Sequence, residues 1–175
     1  ACTRVGILYQ HITYNENITT NEIIDAITLY NKSDNYNGIL VQLPLPKHVN
    51  QELIMESINP NKDVDGFHST NVSKLLSSND IDTFMIPPTP MGCLQLIEYA
   101  NVPLVGKHVV IIGRSNIVGK PLASLLLSFD ATVTICHSKT RNIKNITKNA
   151  DILIVAVGNP HMVKEDWIKP GACVI

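Results

Sequence analysis

The sequence predicts an α/β protein whose second half is a doubly wound parallel sheet. Three observations carry this. A β-branched apolar run, His-Val-Val-Ile-Ile at 108–112, stops at Gly113, crosses a polar turn and resumes at Gly119 as a Leu-rich helix over 119–129. A second apolar strand over 131–136 follows and completes a βαβ unit of about thirty residues. A third run, 151–157, ends at Gly158-Asn159-Pro160. Strands that read as continuous apolar runs are buried on both faces, and such sheets take ligands in the crevice at the strands' carboxyl ends.

At the amino end, residues 1–7 read as the last turn of a helix capped by Gly6, and 5–11 as a short strand leaving it. An amphipathic helix over 21–29 carries Ile23, Ile24 and Ile27 on one face, with Thr19-Thr20-Asn21 marking its start. A polar loop over 31–37 leads to a buried strand at 38–44, then a short helix at 50–58. Residues 60–66 form a turn, 69–78 a polar-capped helical segment, and 79–83 a surface loop. Pro87-Pro88-Thr89-Pro90 enters a helix over 91–100 and makes a rigid link between the halves. At the carboxyl end, 173–175 begins a strand. Both ends read as cut, so the expectation is a fragment of a longer polypeptide.

The chain has 175 residues, enough to bury a core, with 45% hydrophobic and 17% charged residues. A net charge of −1 and a pI near 6.6, with scattered Lys and Arg, give no electrostatic reason to expect nucleic acid or a membrane as partner. No apolar segment approaches the roughly twenty residues that span a bilayer. Cys2, Cys93, Cys136 and Cys173 form no Cys-x-x-Cys pair, and the six histidines are isolated, so no metal site is expected. Reduced thiols fit a cytoplasmic protein, with a mitochondrial one left open because the ends are missing.

Gly113 and Gly119 let the turn be sharp and bring backbone close to a ligand, while N–H groups at the start of the following helix are free to bind an anion. The pattern is one glycine short of the usual dinucleotide fingerprint. A triphosphate loop needs four residues between its glycines and Ser or Thr after Lys; here there are five, and Pro121 follows Lys120. That reading is excluded.

Five motifs occur in order: Val-Gln-Leu-Pro-Leu-Pro at 41–46, Lys-Asp-Val-Asp-Gly at 62–66, Pro-Thr-Pro-Met-Gly at 88–92, Gly-Arg-Ser-Asn-Ile-Val-Gly-Lys-Pro at 113–121 and Cys-His-Ser-Lys-Thr at 136–140. In order and spacing the sequence closely resembles the bifunctional methylenetetrahydrofolate dehydrogenase/cyclohydrolase family, essentially end to end. The resemblance implies a folate-facing α/β domain over 1–88 and a Rossmann-like NAD(P)-binding domain over 89–175, with the active cleft between them. It implies oxidation of 5,10-methylenetetrahydrofolate by hydride transfer to NADP, hydrolysis of the methenyl product to 10-formyltetrahydrofolate, a place in one-carbon metabolism and purine biosynthesis, and a homodimer.

Physics and resemblance meet at particular residues. Gln42, an amide at the end of an apolar strand, must find partners or cost on the order of 1–3 kcal/mol; the resemblance puts it in the folate cleft with Leu43 and Pro44, helping to position a catalytic lysine. Asp63 and Asp65 alternate, so an extended segment sends them opposite ways; the resemblance assigns Asp65 to the pterin ring and leaves Asp63 structural. It also places Thr89 by the nicotinamide, and Gly113, Arg114, Ser115, Ile117, His137 and Ser138 around the dinucleotide. The family's catalytic lysine, with a tyrosine one turn before it, falls upstream of residue 1, and no Tyr-x-x-x-Lys replaces it. The expectation is that these 175 residues alone do not turn over folate.

Cofactor choice has its own argument. A fold selecting NAD places an acid about twenty residues past the glycine turn to bind the ribose hydroxyl. Cys136-His137-Ser138-Lys139-Thr140 has no acid there; Ser138 can donate a hydrogen bond and Arg114 can supply charge, which suits the 2′-phosphate of NADP. Two rival readings make different demands on the sequence. A non-catalytic dinucleotide-binding module would lack polar groups such as Gln42 and Asp65 at the first domain's strand ends, and another Rossmann dehydrogenase would want a carboxylate-binding Arg and a His–Asp pair.

Overall fold

The computed structural model describes residues 2–78 and 80–175. Ala1, in the expected terminal helical turn, and Asn79, in the expected surface loop, lie outside them. The second half is built on a four-stranded, all-parallel sheet in the order β2-β1-β3-β4: β1 His108–Ile112, β2 Thr132–Cys136, β3 Ile152–Val155 and β4 Cys173–Val174. Ile112 lies beside Cys136 on one side and Val155 on the other, so β1, β2 and β3 end level. Level ends make one continuous rim for the loops that follow.

Alternation along β1 divides its side chains between two cores. Val109 and Ile111 face the cluster formed by α4 (Pro88–Tyr99) and α5 (Gly119–Leu127), where Leu94, Ile97, Leu122, Leu125 and Leu126 are buried. Val110 and Ile112 face the other way, against Ile143 and Ile146 of α6 (Ile143–Thr147). Each such side chain, fully buried, contributes about 1.5–3 kcal/mol. At the opposite rim Asp151 accepts from Lys169 Nζ (2.6 Å) and His108 N–H (3.0 Å), which holds its carboxyl down at about 2.

The first half packs α1 (Thr20–Lys32) against α2 (Gln51–Ser57) around Ile23, Ile27, Ile54 and Ile58. Thr19 and Glu22 form a capping box at the start of α1: the Glu22 N–H donates to Thr19 Oγ1 (3.3 Å) and the Thr19 N–H to Glu22 Oε2 (2.8 Å). Asn50 caps α2 through the Leu53 N–H. α3 (Ser69–Ser77) begins at His68, whose Nδ1 accepts from Thr70 N–H, and sends Leu75 into the core of the second half.

Several elements differ from expectation. The amino-terminal turn forms, as a 3-10 helix over Cys2–Val5 ended by Gly6 at φ +77°, with the Ile7 N–H closing back to Cys2 O at 3.0 Å. The strand expected over 5–11 does not: residues 7–15 join no ladder, and Leu8 is 98% exposed. The strand expected over 38–44 shrinks to one parallel bridge, Ile39 with Asp63. An apolar β-branched run becomes a strand only where another backbone pairs with it, and among the described residues only 62–63 offers one here.

Other differences concern ends. α1 runs to Lys32, into the expected loop, because Lys62 caps its last carbonyls. α4 starts at Pro88 instead of 91, since proline at the first helical position is pre-set for helix. β3 stops at Val155 as Ala156 turns its carbonyl across Gly113. Ile81–Thr83 in the expected loop is a short 3-10 helix.

Candidate functional site

At the carboxyl end of β1 the backbone leaves no room for side chains. A Cβ on Gly113, at φ +128°, would lie 2.5 Å from Ala156 O. One on Gly119 would lie 2.2 Å from Gly113 O. The two ends of the loop thus touch, and the loop 114–118 between them bulges outward. Arg114, Ser115, Asn116 and Ile117 are all exposed along it.

The N–H groups expected to be free at the helix start are not. Ser115 Oγ accepts from Val118 N–H (3.1 Å) and Gly119 N–H (3.4 Å), the Lys120 N–H donates to Ser115 O (3.1 Å), and Pro121 has none. Ser115 therefore holds the turn with its hydroxyl. The unpartnered donors lie earlier: none of the N–H groups of Arg114 to Ile117 bonds to a described residue. Four such amides on an exposed loop are donors open to an anion.

Beside this bulge lies the turn that follows β2. Gly113 N–H donates to Cys136 O at 2.8 Å, so the residues after both strands leave the rim as neighbours. Thr140 N–H donates to His137 O (2.8 Å), His137 N–H to Thr140 Oγ1 (2.8 Å), and Lys139 N–H to His137 Nδ1 (3.1 Å). Ser138 is exposed at the tip. The structure thus brings Gly113, Arg114, Ser115, Ile117, His137 and Ser138 to one rim.

The two carboxylates of 62–66 part as alternation demands. Asp63, 1% exposed, accepts from His68 N–H (2.8 Å) and Asn71 Nδ2 (3.0 Å), tying the turn to α3. Asp65 is half-buried and accepts nothing from the described residues. Burial, and after it the Asp63 carboxylate, pushes the Asp65 carboxyl above its usual value. Its acceptor capacity is thus unused among the described residues, in a position that disfavours its charge. Gly66 packs the turn on the link: its Cβ would lie 2.7 Å from Met85 O and 2.9 Å from Pro87 N. Thr89, exposed in the first turn of α4, stands two residues beyond Pro87 with no side-chain cap bond at that helix end.

Gln42 is exposed, and its Nε2 donates to Leu43 O, its own neighbour, at 3.0 Å. It lines a cleft of about 600 Å³ with His11, Tyr14, Tyr30, Tyr36 and Leu40. Leu43 packs on the first core, while Pro44 is exposed. Asp65 does not line this cleft.

Comparison with known families decides the lineage. Residues 87–175 match the model described as tetrahydrofolate dehydrogenase/cyclohydrolase, NAD(P)-binding domain, and residues 1–65 match the catalytic domain of the same name. The chain belongs to the tetrahydrofolate dehydrogenase/cyclohydrolase family. It is 55% identical over 174 residues to the bifunctional protein FolD of Bacillus mycoides, covering 99% of this chain and 60% of that protein. Among solved structures it is similar to the FolD methylenetetrahydrofolate dehydrogenase/cyclohydrolase of Campylobacter jejuni, with TM-score 0.94 and 45% identity over 99% of this chain and 61% of the other. It is also similar to the Trypanosoma brucei dehydrogenase-cyclohydrolase complexed with NADP and inhibitor, with TM-score 0.91 and 33% identity over 99% and 59%. The chain spans about 60% of the length of these relatives.

Two residues of this family member escaped the sequence reading. Lys62 sends its ammonium to three carbonyls, Tyr30 O (3.1 Å), Asn31 O (2.9 Å) and Ser33 O (2.7 Å), fixing the turn that bears Asp65 to the end of α1. Thr140 closes the turn bearing Ser138. Each acts through a partner distant from it in sequence or through backbone, and neither residue type signals that. For Thr140, the run His-Ser-Lys-Thr after a strand was the available hint of a turn.

Proposed function

We propose that this chain forms the cofactor-binding part and some of the folate-binding part of an NADP-dependent methylenetetrahydrofolate dehydrogenase and methenyltetrahydrofolate cyclohydrolase. The observation that carries the reading is the single rim at the ends of β1 and β2, where four unpartnered amides, Arg114 and Ser138 stand together. The space a Cβ would fill at Gly113 and Gly119 is already taken by backbone, so the loop is as tight as pyrophosphate binding demands. NADP, when bound, accepts the hydride. The chain's own groups bind and orient: the amides of Arg114 to Ile117 take the pyrophosphate, Arg114 and Ser138 the 2′-phosphate, and Thr89 and His137 the two ends of the dinucleotide.

On the folate side, Asp65 accepts from the pterin's amino and N–H donors, and Gln42, Leu43 and Pro44 contribute to the cleft wall. One methylene carbon, held against the nicotinamide by these contacts, serves both oxidation and the later addition of water. We place the division at 1–88 and 89–175, and the protein in the cytoplasm with its bacterial relatives. No helix among the described residues is long and apolar enough to cross a membrane. A spectrophotometric assay of the full-length protein with methylenetetrahydrofolate and each nicotinamide cofactor tests the reading, since methenyl product must appear with NADP. Light scattering on the same preparation reports whether the subunits pair as the resemblance implies.

Two variants sharpen the assay. Arg114→Ala is expected to raise the KM for NADP about tenfold, equivalent to about 1.4 kcal/mol, and to change that for NAD little. Equal loss of both cofactors removes Arg114 from 2′-phosphate recognition. Asp65→Asn is expected to weaken folate binding strongly while leaving nucleotide binding intact. Because the folded Asp65 carboxyl lies above its unfolded value, its charge opposes folding once the pH rises past the usual carboxylate range. The same variant should therefore melt slightly higher than wild type at pH 7, with the gain vanishing in acid. A lower melting temperature at neutral pH means that Asp65 holds the fold instead.

A further inference from the structure

The turn after β2 holds a second layer of design behind Ser138. Thr140 is half-buried and meets His137 twice, through its hydroxyl and through its N–H, both at 2.8 Å. The Lys139 N–H is taken by His137 Nδ1. Of the four N–H groups from His137 to Thr140, only that of Ser138 has no partner among the described residues, and the Ser138 hydroxyl is equally unpartnered. Among the described residues, the N–H groups of the turn are thus satisfied except at Ser138, the exposed residue at its tip. A short polar segment would ordinarily sample many conformers, and a hydroxyl bridge across its ends removes that freedom before any ligand arrives.

We propose that Thr140 is a positioning residue for cofactor discrimination: by clamping His137, it holds the Ser138 hydroxyl and N–H where a ribose 2′-phosphate must lie. This deepens the NADP reading above and rests on it. Thr140 itself touches no part of the cofactor; it acts through the turn. Loss of the clamp should therefore show in recognition of the 2′-phosphate and not in recognition of the rest of the adenosine.

The test uses the full-length protein and two probes that differ only in that group, 2′,5′-ADP and 5′-AMP, with affinities measured by calorimetry. Wild type should prefer 2′,5′-ADP. Thr140→Val, which keeps the shape but removes the acceptor, should lose about fivefold in affinity for 2′,5′-ADP, the size one net hydrogen bond carries, and stay within about twofold for 5′-AMP. Thr140→Ser should restore the preference. Should the valine variant not fold, Thr140→Ala read against Thr140→Ser gives the same comparison. Equal loss of both probes, or undiminished discrimination in Thr140→Val, overturns the positioning role. Equal binding of the two probes by wild type is a different failure: it removes the NADP reading itself, and the inference with it.

Discussion

Gly119→Ala is expected to abolish measurable nucleotide binding and to destabilise the second half of the protein. The added Cβ would stand 2.2 Å from Gly113 O, 2.7 Å from Gly113 C and 3.0 Å from Arg114 Cα. All three are backbone atoms, so no side chain can swing aside. Either the 114–118 bulge opens or the start of α5 lifts from β1, and both scatter the amides of Arg114 to Ile117. Overpacking of this kind costs about 1–3 kcal/mol in ordinary cores, and more where only backbone can yield. The dissociation constant for NADP should rise by well over tenfold, each factor of ten being about 1.4 kcal/mol. Calorimetric titration with NADP and a thermal melt check both parts. Unchanged binding in a stably folded Gly119→Ala protein would show that the turn is not where the pyrophosphate goes.

Lys62→Met is expected to destabilise the first half and to loosen the turn that carries Asp65. Its ammonium satisfies three carbonyls at the end of α1, where a helix presents unpaired acceptors and the negative end of its dipole. Methionine keeps the stem and the packing but returns those acceptors to whatever water can reach them. Hydrogen bonds to charged groups contribute about 1.5–3 kcal/mol, and a partly exposed site keeps the lower share, so the expected loss is about 2 kcal/mol. Arginine should not rescue it, because a planar fork cannot meet three carbonyls converging on one point. Urea unfolding followed by circular dichroism measures the loss; a change below about 0.5 kcal/mol, the range of ordinary surface substitutions, would mean that water caps α1 as well as Lys62 does. Folate binding should weaken alongside, since Lys62 also sets the turn that carries Asp65.

The sheet was legible because each of its runs finds a partner within the same sequence. The run 108–112 lies between 132–136 and 152–155, and three apolar strands with a helix between two of them admit few arrangements. The runs 5–11 and 38–44 carry the same signature and came out differently. Periodicity belongs to one segment, whereas pairing needs two, and among the described residues the backbone of 38–44 pairs only with 62–63. At the site, glycine spacing announced a tight turn but could not say which amides it leaves open. That depends on Ser115 folding its hydroxyl back over Val118 and Gly119. The separation of Asp63 from Asp65 was legible from alternation alone. The role of Lys62 was not, because its acceptors lie about thirty positions earlier, at the end of a helix whose length the lysine itself helps to set.

The stretches 10–15 and 38–42 line one cleft and, apart from the bridge between Ile39 and Asp63, join no ladder, which shapes the protein's energy landscape. Apart from the Ile39 N–H, which donates to Lys62 O at 2.7 Å, their amides lack the mutual support that β1, β2 and β3 give one another, so hydrogen exchange there needs little opening, while the strand amides exchange only when the sheet opens. The described residues are thus graded, with strands that pin both ends of the nucleotide loop at Gly113 and Gly119 and a cleft wall that no ladder supports. A ligand that orders this wall gives up part of its contact energy to conformational entropy, whereas one that binds the rim meets a surface already in place. Affinity at the cleft should then respond to temperature and osmolytes far more than affinity at the rim.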